Sequence, residues 1–135
     1  MSEAKIRQSL HNLEKALTRL KEALAEPIDN EIVIDGTIQR FEFCIELFWK
    51  TLKRLLSFEG IETKTPRETL KQAYQIGWLN DETAWLEMLK DRNLTSHIYD
   101  EVMAGDIYNH IQKNFAELES TFLFLKQKFA EILNR

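Results

Sequence analysis

The sequence predicts an all-α protein, and three observations support this prediction. Only 4 of the 135 residues are Gly and 2 are Pro, whereas turn-rich β architectures use these residues often. Apolar residues recur at helical spacing over long stretches, and helix-capping patterns separate those stretches. We therefore predict a four- to five-helix up-and-down bundle in which residues 1–135 form a single domain.

The first two predicted helices differ in how apolar residues surround them. Leu and Ile form one narrow stripe on a helix from about residue 3 to 25, which Pro27 ends. A connection from Pro27 to Gly36 precedes the second helix, which Gly60 closes. This helix also carries apolar residues off its main stripe, namely Phe43, Leu47, Trp49 and Leu56. It is therefore expected either to lie at the centre of the bundle or to share a face with a partner subunit.

Capping patterns locate two shorter helices in the middle of the chain. The segment Thr65–Glu68 (T-P-R-E) combines an N-cap Thr, a Pro at the first helical position and a Glu that can return a hydrogen bond to the cap. The helix that it begins is expected to end near Gly77. Asn80 or Asp81 begins a fourth helix, which runs toward Arg92.

A break around Gly105 is expected to precede a final helix of about 28 residues. The segment Phe122–Leu125 is apolar around the whole helix circumference. The second helix likewise carries apolar residues on more than one face. This apolar excess favours a homodimer. The alternative is an irregular monomer in which these side chains fill the core.

Composition excludes several classes of protein. The start of the chain has no long apolar run, and no stretch is long enough to span a membrane, so we expect a cytoplasmic protein. Cys44 is the single cysteine, which fits a reducing compartment. The net charge of −4 disfavours a broad surface for duplex nucleic acid but allows a small local site.

Most enzyme motifs are absent from the sequence, including Gly-rich phosphate loops and metal-binding HExxH patterns. Glu42 and Glu46 are four residues apart on the second helix, and we interpret them as solvated or salt-bridged carboxylates. His11 and His110 have no ligand partners nearby in the sequence, so we interpret both as ordinary surface or boundary residues. We expect no cofactor and no metal.

One segment, Asp91–Tyr99, concentrates polar chemistry next to apolar residues. Its Arg92 can clamp a phosphate and stabilise developing charge, and its His97 can exchange a proton near neutral pH. Asn93, Ser96 and Tyr99 add an amide, a hydroxyl and a phenol. This combination suits phosphate chemistry.

The spacing of Arg92 and His97 poses a geometric problem, because five residues of regular helix place them about 140° apart. Either the helix unwinds near Ser96, or a site is composite, with Arg from one subunit and His from the other. A third interpretation is structural: Arg92 caps the helix or forms an ion pair with Asp91, and His97 is simply a helix-terminal residue.

At these residues the chain resembles the HEPN superfamily, whose hallmark is R-x4-6-H with a polar residue after the Arg, here Arg92, Asn93 and His97. With Tyr99 the pattern R-x4-H-x-Y is similar to that of HepT-like toxins. The segments 40–53 and 66–68, and the stretch from Trp85 to the motif, resemble the nucleotidyltransferase substrate-binding protein subgroup. The resemblance extends over nearly the whole chain.

The resemblance implies a helical dimer whose two motifs face each other in a shared cleft. It also implies a partner, a minimal nucleotidyltransferase encoded by a neighbouring gene. The first hypothesis is a partner or substrate-binding subunit that presents this cleft to the transferase, with Tyr99 as an adenylylation target and Ser96 beside it.

The second hypothesis implied by the resemblance is a metal-independent ribonuclease toxin acting on RNA. His97 would act as general acid or base, Arg92 would stabilise charge on the phosphate, and Asn93 would orient Arg92 or the phosphate. A third hypothesis, a structural helical dimer without a site, leaves the polar segment unexplained.

Overall fold

The computed structural model describes residues 2–97 and 100–135, and within these residues the chain forms helices and no strand. A 3₁₀ turn, Thr95–His97, follows the fourth helix. The α-helices are α1 (Glu3–Ala25), α2 (Glu31–Phe58), α3 (Pro66–Gln75), α4 (Glu82–Leu94), α5 (Glu101–Lys128) and α6 (Ala130–Leu133). The predicted all-α bundle is confirmed. The sixth helix is a single turn of four residues that continues α5 after Phe129.

Side-chain caps explain where two of the predicted helices begin. The Thr65 hydroxyl accepts a hydrogen bond from the Glu68 backbone N–H at 3.1 Å, as the capping pattern predicted. The Asp81 carboxylate accepts from the Ala84 backbone N–H at 3.0 Å and begins α4. Gly77, with φ of +85°, follows α3 in the left-handed conformation that glycine adopts readily.

Two expected boundaries are wrong, because side-chain caps rather than the nearby glycines set where these helices begin. The connection before α2 ends at Asn30 rather than Gly36, since the Asn30 side chain accepts the Ile32 backbone N–H at 2.9 Å. No break occurs at Gly105, because Asp100 caps α5 by accepting the Met103 backbone N–H at 2.8 Å. A helical glycine costs only about 1 kcal/mol relative to alanine, which tertiary packing readily outweighs.

The hydrophobic core centres on α2, which packs against α1, α3, α4 and α5. Of the apolar residues off the main stripe of α2, Leu56 is fully buried in this core, whereas Phe43 remains 57% exposed. On α5, Leu123 and Phe124 are likewise exposed. One copy of the chain thus buries only some of the apolar side chains that lie off the main stripes. The homodimer remains a prediction. Among the described residues, no helix is long and apolar enough to cross a membrane.

The start of α4 is attached to α5 by one carboxylate. Glu117 Oε2 accepts hydrogen bonds from the backbone N–H groups of Asn80 and Asp81 at 3.1 and 3.3 Å. The same oxygen accepts the indole N–H of Trp85 at 2.9 Å. The Trp85 ring lies edge-on to Phe48 of α2, with ring centroids 4.8 Å apart. These contacts fix α4 against both neighbours and so position its last turn.

Candidate functional site

Arg92 lies in the last turn of α4 and pairs with α2. Its NH2 group is 2.6 Å from Glu46 Oε2, and both side chains are about one-third exposed, at 33% and 29%. Among residues 2–97 and 100–135, its NH1 group makes only a long contact of 3.4 Å with the Asn93 side-chain oxygen. The Arg92 Nε–H is buried and has no hydrogen-bond partner within the described residues. Within the described residues, the NH2 group of the guanidinium is therefore firmly hydrogen-bonded, whereas the NH1 group and the Nε–H are not.

The electrostatics around Glu46 follow from its neighbours. Partial burial raises its pKa, but interactions with Trp49, Lys50 and Arg92 together outweigh burial, so the pKa of Glu46 lies below its ordinary value. Lys50 contributes an ion pair at 3.3 Å. The interpretation of Glu46 as a salt-bridged carboxylate is confirmed, but the sequence did not identify Arg92 as its partner. In this arrangement the charge of Arg92 is already compensated.

The regular helix ends at Leu94, before His97. The Thr95 hydroxyl donates to the Arg92 carbonyl at 2.7 Å, and the chain continues as the 3₁₀ turn. Ser96 and His97 are exposed on this turn. The angle of an ideal α-helix therefore does not apply to the pair Arg92 and His97. Within residues 2–97 and 100–135, His97 makes no side-chain hydrogen bond or ion pair, and Tyr99 lies outside the described residues.

Asp91 turns away from Arg92 and contacts α5. Both of its carboxylate oxygens lie near His110 Nδ1, at 3.0 and 3.2 Å, and the Asp91 side chain is only 4% exposed. The alternative of a local Asp91–Arg92 ion pair is therefore wrong. His110 is a boundary residue at 39% side-chain exposure, but no pattern in the sequence indicates that it pairs with Asp91.

Glu87 lies one helical turn before Asp91 and completes a three-residue polar cluster with His110. Asn114 and Lys113 both contact Glu87 Oε1, at 2.8 and 3.0 Å. Hydrogen bonds from Asn114 and Lys113 lower the pKa of Glu87, whereas burial raises the pKa of Asp91 despite the opposing effect of His110. The i, i+4 spacing of the two carboxylates was visible in the sequence, but their approach to His110 was not.

This cluster borders an open groove of about 860 Å³ between α4 and the first half of α5. Asn93 of the motif lines the same groove, whereas Arg92 does not. The groove carries cations from Arg67 and Lys90, and its apolar lining includes Leu86, Leu94, Met103 and Ile107. The last turn of α4 thus directs Arg92 toward α2 and Asn93 toward the groove beside α5.

Comparison with known proteins gives a match over most of the chain. Residues 8–127 match the family model described as "Nucleotidyltransferase substrate binding protein like". The probable ribonuclease HepT of Haemophilus influenzae is 30% identical over 124 residues, covering 85% of this chain and 84% of that protein.

Solved structures agree with this match. A Thermus thermophilus protein is 36% identical with a TM-score of 0.73, covering 82% of this chain and 95% of its own. A Haemophilus influenzae protein, described as having the fold of a substrate binding domain of a nucleotidyltransferase, is 27% identical with a TM-score of 0.65 and coverages of 94% and 99%. A tri-AMPylated Shewanella oneidensis HEPN toxin, solved in complex with MNT antitoxin, shares the fold at 16% identity, with a TM-score of 0.73 and coverages of 90% and 96%.

Proposed function

Because the chain belongs to the nucleotidyltransferase substrate-binding-like family of HEPN proteins, we propose that it is the partner subunit of a two-component nucleotidyltransferase system. The observation that carries the proposal is the family match over residues 8–127, which includes the whole motif segment. In this role, the end of α4 and the segment after it are presented to the transferase.

The geometry of α4 supports such a presentation. Ser96 and His97 are exposed immediately before the motif Tyr99, and His97 makes no side-chain bond to the rest of the described chain. We propose Tyr99 as the acceptor in the reaction of ATP with a tyrosine hydroxyl, in which the phenol oxygen forms a bond to the α-phosphorus and pyrophosphate leaves.

Co-purification with the transferase from the neighbouring gene tests this proposal. We expect a stable complex by size-exclusion chromatography with light scattering, and, after addition of ATP and Mg²⁺, adenylylation of Tyr99 by mass spectrometry. Tyr99→Phe should abolish the modification, whereas Tyr74→Phe should not, because Tyr74 is a comparably simple control that is 41% exposed on α3. Absence of a complex, or equal modification of Tyr99→Phe, contradicts the proposal.

A second candidate function is a ribonuclease, favoured by the incomplete hydrogen bonding of Arg92 and the exposed His97. The Arg92 Nε–H, which has no partner in the part of the chain that the structure describes, would gain a hydrogen bond if the guanidinium reoriented to a phosphate oxygen. His97 would transfer a proton as the RNA 2′-hydroxyl attacks the adjacent phosphorus and the 5′-oxygen leaves. The Haemophilus influenzae relative is named a probable ribonuclease, which agrees with this candidate.

RNA cleavage in EDTA tests this candidate. His97→Ala and Arg92→Ala should each slow cleavage by about 100-fold or more, whereas His11→Ala on α1 should leave it unchanged. A mixture of the two inactive variants also tests the composite site. If Arg92 and His97 act from different subunits, mixed dimers regain cleavage, because one of their two sites keeps both residues. If both act within one subunit, the mixture stays inactive.

A further inference from the structure

We propose that Glu87, Asp91 and His110 form a binding site for one divalent transition-metal ion such as Zn²⁺. The site lies between α4 and α5, at the edge of the groove described above. It involves neither Arg92 nor His97, and neither function proposed above requires it.

The donor atoms lie close enough that a small side-chain movement would let them share one ion. One oxygen each from Glu87 and Asp91 and a ring nitrogen of His110 all lie within 4.8 Å of one another. The 3.0 Å between His110 Nδ1 and Asp91 Oδ2 is a hydrogen-bond distance, and two ligands of one tetrahedral ion with bonds of about 2.1 Å would lie about 3.4 Å apart, so binding requires only a small separation of these atoms. Glu87 can close the remaining distance by side-chain rotation, because it is partly exposed and its contacts with other described residues are made through Oε1 alone.

The hydrogen bonding of Asp91 is a separate indication of a missing ligand. Its carboxylate is more than nine-tenths buried, yet outside the cluster it has no hydrogen-bond partner among the described residues. An ionised carboxylate offers about four lone-pair positions, whereas His110 Nδ1 supplies at most one proton, shared between two oxygens. Buried carboxylates are normally well hydrogen-bonded or bound to a cation. A metal ion that replaces this single proton would satisfy the carboxylate directly.

The donor set selects the class of ion. One imidazole and two carboxylates suit Zn²⁺, Mn²⁺ and their neighbours, whereas Ca²⁺ and Mg²⁺ favour oxygen ligands alone. Two carboxylates also offset the charge of a divalent cation. Lys113 opposes a cation through its contact with Glu87, but its side chain is 63% exposed, so solvent screens this repulsion. Three protein ligands leave further coordination positions for water or a groove ligand.

Calorimetric titration of EDTA-dialysed protein with ZnCl₂, and separately with MnCl₂, tests the site. We expect one ion per chain, with binding weakened at least tenfold in Glu87→Gln and His110→Gln. Glu87→Gln is informative because the partly exposed Glu87 can lose its charge without unfolding the chain, which circular dichroism verifies. His11→Gln and Glu42→Gln, both at exposed positions, are the matched controls and should bind like the wild type.

The location of the ion is tested by its paramagnetism. Substoichiometric Mn²⁺ should broaden the NMR signals of His110 before those of His11 and His97. Three results would overturn the proposal: no binding, unchanged affinity in folded Glu87→Gln and His110→Gln, or earlier broadening of another histidine. Transferase association in the absence of ATP and Mg²⁺ and RNA cleavage in EDTA are measured without added metal, so failure here is distinguishable from failure of the proposed functions.

Discussion

Two consecutive residues of α4, Asp91 and Arg92, pair with opposite sides of the bundle. Arg92 reaches α2, where its partner Glu46 is 29% exposed. Asp91 reaches α5, where its own side chain is 4% exposed against His110. One side is a partly hydrated ion pair, and the other is a buried carboxylate whose one hydrogen-bond partner among the described residues is His110. The difference shows that adjacent charges in sequence need not compensate each other, because a helix turns successive side chains by about 100°.

The largest expected effect on stability is at Trp85, which contacts Phe48 of α2 and Glu117 of α5. Trp85→Ala should lower the free energy of unfolding by about 3–5 kcal/mol, because it removes a fully buried ring that packs on Phe48. Trp85→Phe keeps much of the ring but loses the hydrogen bond to Glu117, so it should cost less. Urea unfolding measures both. Equal losses would show that the hydrogen bond, rather than packing, dominates.

The difference between the two pairs is tested by removing His110, the partner of Asp91, and separately Glu46, the partner of Arg92. In metal-free buffer, His110→Ala should cost about 1–3 kcal/mol, because it leaves the buried Asp91 carboxylate without a hydrogen-bond donor. Glu46→Ala should cost at most about 1 kcal/mol, because solvent reaches Arg92. Both values come from denaturant unfolding at neutral pH. A larger loss for Glu46→Ala would reverse our ranking of the two sides.

A smaller effect is expected at Gly105, which lies on α5 one and a half turns before His110. A Cβ at this position would meet no atom of the described residues within 4 Å, and φ at Gly105 is not positive. Gly105→Ala should therefore stabilise the fold by about 0.5–1 kcal/mol, without touching either side of α4. Gly77→Ala is the matched control and should destabilise, because φ at Gly77 is +85°. Thermal unfolding of both variants measures the difference.

The smallest expected effect is the pH dependence of the stabilisation that the ion pair of Glu46 with Arg92 contributes. The pKa of Glu46 is lowered in the folded chain, so between that pKa and the ordinary value of 4.5 the unfolded chain binds more protons. The stabilisation is therefore complete above about pH 4.5 and is lost as pH falls through the folded pKa. The stability difference between wild type and Glu46→Gln should shrink over this range. A difference that grows as pH falls would contradict the assigned direction of the pKa.

The sequence predicted local features of this molecule better than contacts between helices. The cap at Thr65 and the fold class followed from local pattern. The starts of α2 and α5 were not predicted, because each helix begins at a capping residue, Asn30 or Asp100, that lies five or six residues before the glycine expected to mark the boundary. Arg92 was identified by the polar residues around it and by the resemblance to the R-x4-6-H pattern. Its partner Glu46 was not identified, since the rotation of α2 about its axis relative to α4 depends on the packed core. The same holds for Asp91 and His110.

The carboxylate of Glu117 has a consequence for the far end of α4. It fixes the helix where the chain enters it, and the motif lies near its exit, about 20 Å away for 13 residues. A rotation of only 5° about the fixed end would displace the motif by about 2 Å, since the displacement grows with helix length. Misplacements of about 1 Å can cost a reacting group two orders of magnitude in rate. Glu117 therefore contributes to the placement of a motif that lies at the opposite end of α4 from its own contacts with that helix.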